Sequence, residues 1–434
     1  MGRFIYILYN IFFVQPLIFI SAFAGLAVKK LKLRKIEEKK YLPEFSEKFK
    51  KKKGEKRILF HCSSLGEWEQ AAPLVDIIKK NHPYINIIVS FFSISGYNHV
   101  KNNPNIDEKI FLPFDSYNRA CNFFEVIKPN LWVISAYDVW PNHVMAAKKN
   151  KVPIVIISAT LAETSGRNKG FSGMLNKYIF KNIHAIYSRS SHDSKRFLKI
   201  YPFPEKILTY GDTRADRVYE KSINIRKSES IKIFKEKSDT DIIFIGGSTW
   251  PADEKVVLPG IINLLKKYTH LKAIIVPHEI KEDHINEIED VFKKHDIKTE
   301  RYTDLIQNDG TIHRVAIINT IGILAKLYKD THIAYVGGSF GKGVHNVLEP
   351  AVFGMPVLFG PKHKNSQEAI SLLELGVTFC VKSKQEFVLK MEKLIDDEVY
   401  REKCSLKAIG YIKNNLGACG KIYQHLLDRF DFVF

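Results

Sequence analysis

The chain has 434 residues, is 45% hydrophobic and 26% charged, and carries a net charge of +19. That composition suits a globular protein of two or three domains with a sizeable core. Cys62, Cys121, Cys380, Cys404 and Cys419 are scattered, odd in number and never form a CxxC pair. They exclude a disulfide framework and a thiolate zinc site and fit a reducing compartment. The charge predicts an acidic partner, whether nucleic acid, anionic lipid or a phosphorylated substrate, and by itself does not choose among them.

Residues 4–28 contain no charged side chain, enough to cross a bilayer as one helix. Lys29, Lys30, Lys32, Arg34, Lys35, Lys39 and Lys40 follow at once, whereas Arg3 and the amino terminus alone precede the run. The positive-inside rule then puts the rest of the chain in the cytoplasm. A cleaved signal peptide is disfavoured by the length of the run and by charge lying mainly after it. Asn10, Gln15 and Pro16 interrupt the run, so an interfacial helix is the other reading. The expected layout is a membrane anchor helix at 1–30 and a basic juxtamembrane segment at 31–55. Lysines in that segment attract anionic headgroups at about 1 kcal/mol each. Much of the +19 is thereby explained without nucleic acid.

Apolar, β-rich runs at 57–62, 85–92, 131–136 and 153–159 read as buried parallel strands. Helical spacing lies between them, as in Trp68, Ala71, Ala72, Val75 and Ile78. A polar stretch at 219–240 reads as a linker. A second series of runs lies at 241–247, 271–277, 314–320, 332–338 and 355–360, and the chain from about residue 385 reads as helical. The pattern predicts an α/β protein with two Rossmann-like domains in tandem, 56–218 and 241–434. Ligands of such sheets bind beyond the carboxyl ends of the strands, so a cleft is expected where the two domains face each other.

The strand ends therefore hold the candidate chemistry. After the first strand, Ser63, Ser64 and Gly66 form a tight turn and Glu67 opens the next helix. Glu67 has two readings: a charge complementing the helix end, or a base whose pKa a wall such as Trp68 lifts. Asp138 follows another strand and precedes Trp140-Pro141, as an N-cap or as a site acid. Arg214 at the end of the first domain is a surface ion-pair residue or a partner for a phosphate. In the second series, Ser248-Thr249, Pro277-His278, Gly322 and Gly338-Ser339 stand at strand ends. Such turns expose backbone N–H groups to an anion. No P-loop or GxGxxG spacing is present, and the histidines show no helical metal-ligand pair.

Taken in order, residues 63–75, 111–115, 138–142, 157–165, 211–218, 246–254 and 345–361 resemble the Kdo (3-deoxy-D-manno-octulosonic acid) transferases of lipopolysaccharide assembly. The resemblance implies a GT-B glycosyltransferase fold at the cytoplasmic face of the inner membrane, held by a single N-terminal anchor. It implies CMP-Kdo as donor, the tetraacylated, phosphorylated lipid A precursor as acceptor, anionic membrane lipids as neighbours, no nucleic acid, and neither metal nor cofactor. Glu67 would be the general base, with Asp138 and Arg214 stabilising the transition state. The CMP moiety would be held by Pro277, His278, Ile321, Gly322, Ile323, Asn346, Val347, Leu348 and Glu349. Ser64, Gly66, Ser248, Thr249, Gly338, Ser339 and His345 would support them. The chain departs from the family pattern at Ala136, His278, Ile323 and Val344. The rival readings are another GT-B nucleotide-sugar transferase or epimerase, and a non-enzymatic membrane-anchored protein that binds polyanions.

Overall fold

The computed structural model describes residues 1–16, 49, 52–100, 103–161, 169–234, 238, 240–307, 314–364 and 366–434. The chain divides into two compact units, residues 1–217 with 415–434, and residues 218–414.

The first unit is built on seven parallel strands: β1 (Arg57–Cys62), β2 (Asn86–Phe91), β3 (Glu108–Phe111), β4 (Leu131–Ser135), β5 (Ile154–Ala159), β6 (Ala185–Ser188) and β7 (Ile207–Thr209). Their order is β3-β2-β1-β4-β5-β6-β7. Every residue of β1, β4 and β5 is buried. These strands are covered on both faces, so they read as continuous apolar runs rather than alternating ones. One face packs Leu59, Trp132 and Ile134 against Phe124, Phe180 and Phe197. The other packs Ile58, Phe60 and Val89 against Trp68, Val75 and Ile78 of the helix Leu65–Asn81. The chain moves outward from β1 to β3, then resumes on the other side of β1 with β4. The carboxyl ends of β1 and β4 therefore flank a topological switch point, the usual place for a ligand crevice.

The second unit repeats the plan with β8 (Ile242–Thr249), β9 (Leu271–Pro277), β10 (Glu300–Arg301), β11 (Val315–Ile317), β12 (Ile333–Val336), β13 (Val357–Phe359) and β14 (Thr378–Cys380). The order is β10-β11-β9-β8-β12-β13-β14, all parallel. Its switch point lies between β8 and β12. The α/β class and the two Rossmann-type sheets are as the sequence predicts.

The boundaries differ in two places. The second domain was expected to run to residue 434, yet residues 415–434 belong to the first unit. The helix Ala418–Arg429 buries Ile422 and Leu426 in the first unit's core, each worth about 1.5–3 kcal/mol. Its start is fixed by Asp216, whose carboxylate accepts from Gly417 N at 2.6 Å and Cys419 N at 2.8 Å. The expected linker at 219–240 begins inside the helix Thr213–Lys227.

The expected anchor helix at 1–30 is described only as far as residue 16. Residues 2–9 form a helix that continues as a π-type stretch, Asn10–Val14. Its inner face is docked on the first unit, with Ile5 and Val14 buried. Tyr6 donates its hydroxyl to Asn142, Tyr9 donates to Asp115 Oδ2 at 2.8 Å, and Asn142 Nδ2 donates to Asn10 Oδ1 at 2.9 Å. Asn10, one of the polar groups that interrupt the apolar run, is thus satisfied by protein, a partner that hydrocarbon does not offer. Among the described residues no helix is long and apolar enough to cross a membrane. Residues 17–48 of the expected anchor and basic segment, and residues 162–165 of the motif at 157–165, lie outside the described residues.

Candidate active site

The first unit gathers its polar groups at the ends of β1 and β4. Ser64 caps the helix Leu65–Asn81, its Oγ accepting from Glu67 N at 3.4 Å. The Glu67 carboxylate folds back and accepts from Ser63 N. Gly66 is exposed, and a Cβ there would meet nothing nearer than Ser64 Oγ at 3.9 Å, so the turn does not demand glycine on steric grounds. Burial pushes the Glu67 carboxyl up to about 7, helped by the Asp138 charge and opposed by His61 and the helix-end N–H groups. Of the two opposed effects weighed from the sequence, burial wins over the helix end. Trp68 itself lies in the core with Ile58 and Phe60.

Asp138 does not cap the next helix. Pro141–Lys149 is capped at Trp140, and Asp138 Oδ2 instead accepts from Trp140 Nε1 at 3.0 Å and faces His61 Nε2 at 3.1 Å. Burial works to raise Asp138, but the bonds and charge of His61, then Ser63 and Trp140, prevail and hold it at about 2. Two carboxylates a few residues apart in space thus have opposite tendencies, the pattern that separates a proton acceptor from a fixed charge. Phe92 stacks on Trp140 at 5.2 Å and walls this side. Ala136, at a family departure, takes φ +58°, a sparsely populated conformation.

Arg214 begins the helix Thr213–Lys227 beside buried Asp212. Its Nη2 lies 2.8 Å and its Nε 3.1 Å from Asp212 Oδ2, and Arg189 Nη2 approaches the same oxygen at 2.9 Å. Burial raises Asp212, but the two guanidinium charges hold it well below the usual carboxylate range. Thr213 Oγ1 donates to Gln70 O at 2.6 Å, which ties the base of Arg214 to the helix that carries Glu67.

The second unit gathers its groups after β8, β9 and β12. Trp250 Nε1 donates to His345 Nε2 at 2.9 Å, and the two rings are nearly coplanar at 11°. His278 stacks on both, 4.4 Å from Trp250 and 4.9 Å from His345. Accepting from Trp250 requires His345 Nε2 to be unprotonated. Burial, then the neighbouring His278 charge, lowers the His345 pKa in the same direction. Pro277 closes β9 opposite Thr249, and His278 N donates to Thr249 O at 2.8 Å. Ser248 takes φ +52°.

Gly338 is required where it stands. It takes φ +94°, and a Cβ would come 2.4 Å from Gly343 O and 2.9 Å from His345 Cδ2. Ser339 is buried and accepts from Gly360 N at 2.5 Å, so it pins the loop rather than facing outward. Asn346 Oδ1 accepts from Leu348 N, at the start of the short helix Leu348–Ala351, at 3.1 Å, while its Nδ2 donates to Glu349 Oε1 at 3.3 Å. Val347 and Leu348 bury their side chains, leaving backbone groups for any contact. Gly322 turns with φ +93° beside exposed Ile321, and Ile323 opens the short helix Leu324–Leu327. Val344 is buried and needs no positive φ, because Gly343 takes that role at +144°.

Three residues of these clusters carry no signal in the sequence reading: His61, Arg189 and Asp253. Asp253 is fully buried. It accepts from Trp250 N at 3.0 Å, Tyr335 Oη at 2.9 Å, Gly338 N at 2.8 Å and Phe340 N at 3.2 Å. Among the described residues no group of three or more His, Cys, Asp and Glu is placed to hold a metal ion.

Two doubly wound parallel sheets in tandem, with polar side chains collected at the strand ends beside each switch point, define the structural class. Solved structures share it. A putative UDP-N-acetylglucosamine 2-epimerase from Listeria monocytogenes aligns with a TM-score of 0.62 at 12% identity, covering 87% of this chain and 98% of its own. The UDP-GlcNAc 2-epimerase of Neisseria meningitidis aligns at 0.59 and 17% identity, covering 86% and 100%. At such identities the likeness is one of fold. Residues 39–217 match the family model described as 3-Deoxy-D-manno-octulosonic-acid transferase (kdotransferase). The 3-deoxy-D-manno-octulosonic acid transferase of Haemophilus influenzae is 28% identical over 86% of this chain and 86% of its own, and that of Rickettsia bellii 26% over 90% of each. A bifunctional glycosyltransferase/methyltransferase of Fusobacterium nucleatum is 28% identical over 90% of the chain, which spans 61% of that protein's length. Over most of its length the chain is similar to Kdo transferases, which are glycosyltransferases.

Proposed function

We propose that the chain transfers Kdo from CMP-Kdo to the tetraacylated, phosphorylated lipid A precursor by direct displacement, with Glu67 as general base. The observation that carries this reading is Glu67 itself, lifted to about 7 beside an Asp138 held at about 2. A carboxylate poised near the working pH is ionised often enough to act and basic enough to take a hydroxyl proton. The acceptor sugar oxygen forms a bond to the anomeric carbon of Kdo. The bond from that carbon to the CMP phosphate oxygen breaks, its electron pair leaves with CMP, and the hydroxyl proton passes to Glu67. The guanidinium of Arg214, held beside Asp212, suits the charge developing on the departing phosphate.

The Trp250, His278 and His345 rings offer flat apolar faces to a nucleobase. Glu349 accepts from the ribose hydroxyls, and Asn346 positions it. Pro277, the turn 321–323 and the backbone of residues 346–348 complete the CMP contacts.

The place of action in this reading is the cytoplasmic face of the inner membrane. Phe4, Ile7, Ile11, Phe12 and Phe13 are exposed on the N-terminal helix whose other face is docked. An apolar face of that kind lies in the lipid interface, and the +19 charge draws anionic lipid toward it. The test is mass spectrometry of lipid A precursor incubated with the chain and CMP-Kdo, beside a panel of UDP-sugars. The expected product gains one or more Kdo units from CMP-Kdo alone. Transfer from a UDP-sugar with none from CMP-Kdo refutes the reading.

A further inference from the structure

Trp250 and His345 meet edge to edge across 95 residues of chain. The indole Nε1 lies 2.9 Å from His345 Nε2, and the two rings are within 11° of one plane. An indole N–H donates and never accepts, so His345 Nε2 carries no proton. Turning the imidazole over would set a ring carbon against the indole N–H, and a charged ring would set one N–H against another. The neutral ring with its proton on Nδ1 is the form that this contact admits. His278 stacks across the pair, 4.4 Å from Trp250 and 4.9 Å from His345. Gly338 leaves room for the imidazole, since a Cβ there would come 3.0 Å from Nε2.

The proton on Nδ1 has no acceptor among the described residues, and His345 is half-buried. A donor of fixed direction is thus left for a ligand. The loop around it is basic. His345 closes the turn that begins at Gly338 and carries exposed Lys342. Lys362, also exposed, is laced to the same turn, its N donating to Ser339 O at 2.9 Å and its O accepting from Val344 N at 3.0 Å. The acid beneath the turn, Asp253, is occupied by Trp250 N, Gly338 N, Phe340 N and Tyr335 Oη.

We propose that Trp250 is a positioning residue: its indole N–H holds His345 in the Nδ1–H form, and that N–H donates to a phosphate oxygen of the bound nucleotide. The proposal rests on the reading that this unit binds the donor nucleotide. A phosphate suits the place because its oxygens are strong acceptors and its charge is welcome beside two lysines. Burial, then the neighbouring His278 charge, lowers the His345 pKa, so at pH 8 the ring is neutral and the tautomer alone is in question.

Nitrogen NMR of the full chain carrying labelled histidine reads that tautomer at pH 8, with His345→Phe identifying the signal. Wild type should show Nδ1 protonated and Nε2 bare, and the reverse tautomer overturns the proposal. Trp250→Phe keeps a flat ring and removes the N–H. In that variant the proton should move toward Nε2, and CMP should bind about tenfold more weakly, the worth of one hydrogen bond to a charged group. Cytidine, which has no phosphate, should bind as it does to wild type. An equal loss for CMP and cytidine marks a merely structural role and overturns the proposal, as does no loss for CMP. Adding Trp250→Phe to His345→Phe should weaken CMP no further, because both remove the same contact; a second full loss overturns the coupling. If Trp250→Phe fails to fold, the wild-type spectrum decides: CMP should displace the Nδ1 signal and cytidine should not, and an unmoved signal with CMP bound refutes the contact. If the wild type binds UMP and not CMP, the CMP-Kdo reading fails, whereas the same selective loss for UMP over uridine upholds the proposal. Binding of neither nucleotide refutes both.

Discussion

Glu67→Gln separates activity from stability, because the two should move in opposite directions. The Glu67 carboxyl stands at about 7 in the folded chain against an ordinary 4.5. A raised carboxyl pKa means that folding favours the protonated form, so its contribution is fully present below pH 4.5 and is lost as pH rises from there through about 7. The gap converts, at about 1.4 kcal/mol per pH unit, to at most about 3 kcal/mol by pH 8. Glutamine keeps the shape and never ionises. Glu67→Gln should therefore match the wild type near pH 4.5 and exceed it by up to about 3 kcal/mol at pH 8. Urea titrations at pH 5 and pH 8, followed by tryptophan fluorescence, read the difference. Trp68, Trp132 and Trp140 belong to the unit that holds Glu67, and Trp250 to the other. In the same variant the transfer rate should fall by about 10²–10⁴, the usual worth of a general base. A variant no more stable at pH 8 than at pH 5, relative to wild type, refutes the burial argument. A variant that keeps its full rate refutes the role of base.

Two further perturbations address the other parts of the reading. Gly338→Ala forces a side chain into φ +94° and to 2.9 Å from His345 Cδ2, so calorimetry should show CMP affinity weakened by about tenfold or more, each tenfold being about 1.4 kcal/mol. Gly66→Ala, whose Cβ meets nothing nearer than 3.9 Å, serves as the control and should leave that affinity unchanged; equal affinities in the two variants refute the argument. Phe4→Ser with Phe12→Ser should reduce sedimentation with vesicles of anionic lipid by about tenfold or more, since each buried aromatic is worth about 1.5–3 kcal/mol, without altering the fold. Undiminished binding by that double variant removes the N-terminal helix from the membrane contact.

The strands that the sequence exposes are the buried ones. β1, β4, β5, β8 and β9 are long and covered on both faces, so each leaves an apolar run. β3, β6, β7, β10 and β14 escape notice. They are two to four residues long and lie toward the sheet edges. Pairing to a neighbour makes them strands, not their own pattern. The site is legible in a similar way. Glu67, Asp138 and Gly338 stand where a strand ends, and a turn signal marks the place. His61 is hidden because it lies inside an apolar run, and its partner Asp138 is 77 residues away. Asp253 reads as an ordinary acid in a helix's first turn, and nothing local announces the amide of Gly338, 85 residues on. The docking of residues 2–14 is hidden for a related reason: composition marks an apolar run, but Tyr6 and Tyr9 donate to Asn142 and Asp115, and Asn10 accepts from Asn142, all distant in sequence.

The same feature recurs at three strand-end loops, and it accounts for which family departures the chain can tolerate. Asp115, Asp212 and Asp253 are all buried, and each accepts several bonds from irregular backbone or from cations around it. Asp115 takes Tyr9, Asn142 N and His143 Nδ1 at 2.8 Å. Asp212 takes Arg189 and Arg214, and Asp253 takes three backbone amides and Tyr335. The loop with positive φ at Gly338 and Gly343 has no ladder to hold it, and a buried carboxylate supplies the missing acceptors. With the frame fixed from within, the outward groups are released from structural duty. His278 is exposed and Ile323 half-buried, and these are two of the positions where the sequence reading finds a departure from the family pattern. Val344 departs in the interior, and it is accommodated because the conformation that needs glycine falls on Gly343 instead.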